Sequence, residues 1–496
     1  MESKVYPSTA LVPAIIELSI PDVYSPKSWV CQTHFWPLHS ELTPERAFDV
    51  LRQGLSRTIS EIPALAGIAV RGPKNDPRDI AIEIKEDGCV DFAYEDFSAK
   101  DGIPSYAELK QAGFPLTNLI ETFSQSITLT PISEGAPMLL VKLNVLQGGL
   151  AMAFGFNHLL TDATAMAEVE RLWSLHTADV SSGRQQTYRA KDANKMDVEL
   201  RKRFSVPTSD AAEFENPHWT IFPTEHSQLH LAPRPISKSF FEKTKSERLP
   251  QVDGSTSVKG DPETVKWCHW YFSPESLVAL KKDASGPDPV KWISTMNAMV
   301  GLFWSRLSSI RQKSRDGVSS SLCLFPMNMR SRFDPPVGSD FIGNLVDVVF
   351  TVSPLQELED DALGLQVAAY SARSAVKGWS SEAWNSWLAM AVNLPAEQAI
   401  CPNPLPLLQT HNLGFNDYSN LQSNTLDWGS DLGHIDVTRY MKPAASLAKC
   451  ATAVIVHPRL RDGGLAVATT NTDSMCKALE QDHVFSRYGK LVCSYV

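Results

Sequence analysis

GLAMAFGFNHLLTDATAMAEVERLWSLHT, residues Gly149–Thr177, is the stretch that decides the fold. Leu150, Met152, Phe154 and Phe156 alternate with Ala151, Ala153 and Gly155, so the period is two and both faces are apolar. That pattern predicts a strand buried on both sides. Met166, Val169, Leu172, Trp173 and His176 then share one helical stripe, with Glu168, Glu170 and Arg171 around it. Thr161 or Asp162 is placed to cap this helix. His158 stands where a core strand ends and Asp162 where a helix starts. Such a junction holds a side chain on rigid scaffold with its tip open.

Histidine is the side chain whose unperturbed pKa lies near neutrality, which suits proton abstraction. A carboxylate four residues on, past a tight turn, can fix the imidazole or the loop around it. Plainer readings stand beside this one. An aspartate at a helix start is commonly only a cap, and a histidine after an apolar strand is often a satisfied core residue. HxxxD is a loose pattern in a chain with 12 histidines, although His158–Asp162 alone matches it.

Composition narrows the classes. At 496 residues the chain has room for about two to four domains. Its 43% hydrophobic and 21% charged content fits a globular protein with large cores rather than a disordered one. A formal net charge of −10 with no Lys/Arg-rich run argues against a nucleic-acid partner. A polyanionic ligand would need a local basic patch. Cys31, Cys89, Cys268, Cys323, Cys401, Cys450, Cys476 and Cys493 are scattered without a CxxC pair, which argues against a zinc ribbon or a disulfide framework. Thiols in a reducing compartment are the simpler reading. The apolar start of the chain is broken by Pro13, Glu17 and Pro21, and nowhere do about 18 apolar residues run together. The expectation is a cytoplasmic protein with no membrane partner.

Taken in order, residues 10–20 and 30–38 read as strands, and Thr43-Pro44 opens a helix with apolar positions Ala47, Val50, Leu51, Leu55 and Ile59. Residues 80–84 alternate as a strand, and 138–146 form a hairpin with the central strand across Gly148-Gly149. From about Arg184 to Glu263 the pattern dissolves into a long crossover. Strand patterns return at 265–272, 322–329 and 345–353, and helical ones after Ser273, at 294–307 and at 360–377. Residues 408–415 are extended and 424–439 are a loop rich in Gly and Asp. Residues 452–457 and 464–470 make a late hairpin, followed by a helix from Thr472. GxSxG, HExxH, Walker A and GxGxxG are all missing, which removes support for serine-elbow hydrolases, zincins, P-loop enzymes and dinucleotide oxidoreductases.

With Asp427-Trp428-Gly429 added to His158-Leu-Leu-Thr-Asp162, the chain resembles the BAHD acyltransferases. These are acyl-CoA-dependent enzymes of plants and fungi, with HxxxD in mid-chain and DFGWG nearer the end. The likeness is to the fungal branch of trichothecene 3-O-acetyltransferase type. LSRTISEIPALAG (55–67), FPMNMRSRFDPP (325–336) with FIGN (341–344), and PRLRDGGLAV (458–467) resemble family blocks in the family's order, across nearly the whole chain. There are departures. DWGSDLG replaces DFGWG and matches at Asp427 and Gly429 only. Thr410-His411-Asn412-Leu413 stands where many relatives carry Thr-Ser-Trp, and Ala466 where Glu is common. Asn157 precedes His158, unlike the HHxxxDG of condensation domains.

The resemblance implies an α/β fold of mixed sheets, in two chloramphenicol-acetyltransferase-like domains with a channel between them. The expected division is 1–205, a crossover at 206–264, and 265–496, with about 425–455 returning to pack on the first domain. CoA and acceptor would meet at His158 from opposite faces. A thioester is already activated, so no nucleophilic Ser or Cys is needed. His158 would take the acceptor's proton as general base, with hydrogen-bond donors holding the oxyanion. Asp162 would support the His158 loop and pair with an arginine. Asp427 and Gly429 would be structural, with Arg330 as the expected partner of Asp427. Thr410 and Asn412 are candidate oxyanion or acceptor contacts, with ordinary strand polars as the alternative. The CoA phosphate contacts are left unassigned: Lys281 and Lys282 are conceivable, but a lysine pair usually marks a solvated helix end.

The leading reading is an acyl-CoA-dependent O-acyltransferase. It would use acetyl-CoA as co-substrate, no resident cofactor and no metal, and would act as a monomer on a hydroxyl of a hydrophobic fungal secondary metabolite. An amide-forming or condensation-type enzyme with a carrier-protein donor is the first alternative. A non-catalytic, ligand-binding member of the fold is the second.

Overall fold

Segments whose two faces are both apolar become central strands here, and amphipathic ones become the helices that cover them. The computed structural model describes residues 2–72, 78–116, 122–123, 132, 134–185, 193–207, 219–223, 265–287, 292–311, 317–402, 411–441 and 452–495. The first half runs β1 (Glu2–Val5), β2 (Ala14–Glu17), α1 (Ile20–Tyr24), β3 (Trp29–Pro37), α2 (Pro44–Glu61), β4 (Ile68–Arg71), β5 (Ile80–Ile84), β6 (Val90–Asp96), α3 (Tyr106–Gln111), β7 (Leu139–Leu146), β8 (Gly149–Asn157) and α4 (Ala163–Ser181). α5 (Ala193–Arg203) and β9 (Trp219–Pro223) lie within residues 184–263, where the sequence shows no clear pattern. The second half runs β10 (Val265–Phe272), α6 (Pro274–Ser285), α7 (Thr295–Arg311), β11 (Ser320–Asn328), β12 (Val346–Pro354), α8 (Leu355–Leu358), α9 (Gly364–Gly378), α10 (Ser381–Asn393), β13 (Gln398–Pro402), β14 (Leu413–Asp417), β15 (Val437–Met441), β16 (Thr452–Val456), β17 (Leu465–Thr472), α11 (Asp473–Gln481) and β18 (Gly489–Tyr495).

Two mixed sheets carry these elements, in the order β1-β6-β7-β8-β3-β15 and β12-β11-β14-β16-β17-β10-β18. β8 is the doubly buried strand read from sequence, and all nine of its residues are buried. It lies antiparallel between β7 and β3. β15 returns from late in the chain to pair antiparallel with β3, Val437 opposite Phe35 and Met441 opposite Cys31. β16, which begins at Thr452, pairs instead with β14 and β17 in the second sheet.

Helices α2 and α4 pack against each other over the first sheet. Thr43 caps α2 by accepting from Arg46 N, and Asp162 caps α4 by accepting from Thr164 N and Ala165 N, which settles the choice between Thr161 and Asp162. The helices approach closely because Gly54 has no side chain; a Cβ there would fall 2.2 Å from Thr177 Oγ1. Trp173 Nε1 donates to Leu51 O at 2.9 Å. Trp36, Trp173 and Trp428 then meet edge to face, with centroids 5.4 and 5.6 Å from Trp428. Such pairs contribute about 0.5–1.5 kcal/mol each beyond their buried area.

Among the elements the sequence reading did not name, two helices stand out. One is α5, which its polar sequence hid and which is tied down through buried Arg201. α10 was also not expected, although Trp384, Trp387, Leu388 and Ala391 follow helical spacing and are all buried. No helix among the described residues is long and apolar enough to cross a membrane.

A buried polar joint lies where β15 meets the second sheet. His269 on β10 and His457 after β16 stack with centroids 5.6 Å apart and planes within 8°. Tyr495 on β18 places its hydroxyl 2.8 Å from His269 Nε2, and Tyr440 on β15 lies 6.1 Å from His457, centroid to centroid. Buried Arg439 donates to Gly113 O at 3.0 Å. Burial first, and the nearby Arg439 charge second, hold both imidazoles well below 6.5. An unfolded chain binds those protons near pH 6.5 while the folded one does not, so stability is full above that pH and falls below it. The expected loss is about 1.4 kcal/mol per histidine for each pH unit below about 6.5. Urea unfolding at pH 7.5, 6.5 and 5.5 measures it, and His457→Gln is expected to make the dependence shallower by one proton's share. An identical slope in that variant would contradict this account.

Candidate active site

The turn after β8 is built by Asn157. Its Oδ1 accepts from Leu159 N at 3.0 Å, its Nδ2 donates to Pro137 O at 3.2 Å, and its carbonyl accepts from Leu160 N at 3.0 Å. His158 is held at the corner, with its N–H donating to Ser28 O at 3.1 Å and its carbonyl accepting from Ser25 Oγ at 2.9 Å. The side chain is partly buried.

His158 Nδ1 lies 3.0 Å from Asn344 Oδ1, after β11 in the second half. Asn344 Nδ2 donates to His158 O at 2.8 Å and to Asp22 Oδ1 at 3.0 Å. Both oxygens need a donor, so turning the carboxamide over would set oxygen against oxygen. Asn344 Oδ1 therefore faces the ring, the proton sits on Nδ1, and the lone pair is on Nε2. Burial lowers the His158 pKa, and the Asp162 charge pulls it partly back. The net direction is downward, which keeps the imidazole neutral near pH 7.

Asp162 uses both oxygens for structure. Oδ1 accepts from Thr164 N at 3.0 Å and Ala165 N at 2.9 Å, while Oδ2 accepts from Arg330 at 2.6 Å and Leu345 N at 2.9 Å. Arg330 also donates to Gly343 O at 2.8 Å and Phe341 O at 3.2 Å. One buried ion pair thus pins the loop that carries Asn344.

The expected pairing of Arg330 with Asp427 is overturned. Asp427 is exposed, and its Oδ1 accepts from Gly429 N at 2.9 Å. Gly429 has φ +95°, and a Cβ there would fall 2.5 Å from Ala178 Cα, so this turn sits against the last turns of α4. Arg330 sits at the first turn of the same helix. Nineteen residues separate the two ends, about 28 Å.

Thr410 lies outside the described residues. Asn412 is buried, and its Oδ1 accepts from Leu322 N at 2.8 Å, joining β14 to β11. His411 is partly exposed and its carbonyl accepts from Ser321 Oγ at 2.7 Å. Lys281 lies 5.2 Å over the Trp292 ring, and Lys282 is exposed. Asn297 accepts from Ser294 in a reciprocal cap at the start of α7. Among the described residues no cluster of three His, Cys, Asp or Glu side chains is arranged to hold a metal. Sequence reasoning missed Asn344 as the partner of His158, and missed Asp22 and Arg201 altogether. Ser19-x-x-Asp22 carries a visible capping-box signal, which the structure bears out.

Removing one partner of a buried pair leaves the other charge uncompensated. Arg330→Met is expected to cost about 3–5 kcal/mol, whereas Asp427→Ala, which loses one exposed turn contact, costs less than about 1 kcal/mol. Chemical unfolding of the two variants checks this. A larger loss for Asp427→Ala would restore the overturned pairing.

The Transferase family matches residues 2–383. The chain is 41% identical to acyltransferase clz6 of Cochliobolus lunatus over 487 residues, 98% of this chain and 97% of that protein. It is 39% identical to acyltransferase M4 of Phoma sp. with the same coverage. Among solved structures it is similar to TRI101 of F. graminearum complexed with coenzyme A and deoxynivalenol, with TM-score 0.74 and 18% identity over 97% of this chain and 100% of that one. The family match and the two close relatives show that the chain belongs to the Transferase family, the BAHD acyltransferases.

Proposed function

We propose that this acyltransferase moves an acetyl group from acetyl-CoA to a hydroxyl of a hydrophobic small molecule, with His158 as general base and no acyl-enzyme. The observation that carries the reading is the His158–Asn344 contact, which leaves a neutral imidazole with its Nε2 lone pair unprotonated. The TRI101 complex, with coenzyme A and deoxynivalenol on the same fold, supports the choice of an acyl-CoA co-substrate and a small-molecule acceptor.

An alcohol is a weak nucleophile until its proton is being removed, so a neutral base at neutral pH is what O-acylation needs. As the acceptor oxygen bonds to the thioester carbonyl carbon, its proton passes to His158 Nε2. The imidazolium that forms is stabilised by its Nδ1–H···Oδ1 bond to Asn344. When the tetrahedral intermediate collapses, the C–S bond breaks and His158 returns the proton to the CoA sulfur. Asp162 takes no part in proton transfer, since its oxygens already accept four hydrogen bonds.

Thiol release from acetyl-CoA, followed with a thiol reagent against a panel of hydrophobic alcohols and amines, tests the reaction. Release is expected only with an alcohol present, and His158→Ala is expected to lower kcat about 10²–10⁴-fold with the fold intact. The acid limb of kcat/KM is expected below 6.5, since the imidazole protonates later than a free one. A folded His158→Ala enzyme turning over at the wild-type rate would remove the base from His158. Release with amines alone would move the reading to amide formation.

A further inference from the structure

We propose that Asp22 is a positioning residue for the reaction: through Asn344 it fixes the tautomer of His158. This rests on the reading of His158 as base. Asp22, the third residue of α1, is fully buried, and its two oxygens face two different sets of donors. Oδ2 accepts from Ser19 N at 3.0 Å, from Ser19 Oγ at 2.6 Å, and from the Arg201 guanidinium of α5. Oδ1 accepts from Asn344 N at 2.8 Å and Asn344 Nδ2 at 3.0 Å. Arg201 also donates to Ile342 O, two residues before Asn344. The first helix, α5 and the loop after β11 thus converge on one carboxylate.

The Asp22 carboxylate and the His158 carbonyl both draw the Asn344 NH₂, and of the two only the Asp22 side chain can be changed by substitution. As an acceptor without a proton the carboxylate demands the Asn344 NH₂, and the NH₂ in turn leaves the Asn344 side-chain carbonyl for His158 Nδ1. An asparagine at position 22 breaks that logic. Its oxygen would stay with the charged Arg201 and the two Ser19 donors, which bind more strongly than a neutral amide. Its own NH₂ would then face Asn344, which turns its oxygen to meet it and its NH₂ to the ring, and the His158 carbonyl, losing the Asn344 donor, keeps Ser25 Oγ. An NH₂ facing Nδ1 makes Nδ1 the acceptor, moves the proton to Nε2 and removes the base. The exchange Asp22→Asn with Asn344→Asp restores a donor opposite an acceptor between residues 22 and 344 and at His158 Nδ1, because a carboxylate at 344 again demands a proton on Nδ1, while the His158 carbonyl is left to Ser25 Oγ.

The test is ¹⁵N-histidine NMR of the full chain, with His158→Ala to assign the signal, beside steady-state kinetics. Wild type is expected to show Nδ1–H. Asp22→Asn is expected to show Nε2–H, with kcat lowered about 100-fold and KM for acetyl-CoA little changed. The double exchange is expected to regain Nδ1–H and at least about tenfold in kcat over Asp22→Asn. A folded Asp22→Asn that keeps Nδ1–H overturns the proposal whatever its rate, since Asp22 would then be structural only. Should Asp22→Asn not fold, the double exchange decides alone: Nδ1–H with turnover supports the proposal, and Nε2–H or failure to fold overturns it. Turnover surviving in His158→Ala would defeat the base reading, yet leave the tautomer result standing.

Discussion

The buried ion pair between Asp162 and Arg330 is the contact on which the rest of the site depends. It joins the start of α4, on the first sheet, to the segment after β11 in the second, 168 residues later. Two charges taken out of water cost several kcal/mol each unless every lone pair and proton finds a partner. Here they largely do. Asp162 also caps α4 and accepts from Leu345 N, and Arg330 also holds the carbonyls of Phe341 and Gly343. A hydrophobic substitute could match the stability, but it could not fix the 341–345 backbone against the His158 turn.

That fixed backbone sets the chemistry. Asn344 sits between Gly343 and Leu345, both bound to the ion pair, so its carboxamide can reach His158 and Asp22 together. A chain of paired donors and acceptors then runs from Arg201 through Asp22 and Asn344 to the imidazole. Each link admits one orientation, and the last leaves Nε2 as the atom that can accept a proton. Electrostatics agree: burial keeps the ring neutral, and Asp162 moderates the shift without touching the ring nitrogens.

Much of this was legible in the chain, and the limits have physical causes. β8 and α4 could be read because burial on both faces and a helical stripe leave strong local periodicity. The order of family blocks was enough to indicate the architecture. The partner of Arg330 was misread because spacing along the chain says nothing about which end of a 19-residue helix a distant loop will meet. Gly429 matters for its positive φ and its contact with Ala178, and Trp428 beside it fills the tryptophan cluster, a packing role that a motif pattern does not display. α5 was hidden because its value lies in one buried arginine and not in an apolar stripe. Asn344 was quoted only as the end of a block, since an asparagine's role depends on what its two faces meet.

The central claim is direct transfer within a complex that holds both substrates, with a histidine base and no covalent intermediate. Initial velocities measured over a grid of acetyl-CoA and alcohol concentrations test it most directly. Intersecting double-reciprocal lines are predicted, because both substrates must be bound before any product leaves. Parallel lines, the signature of an acylated enzyme releasing CoA before the acceptor binds, would contradict the account.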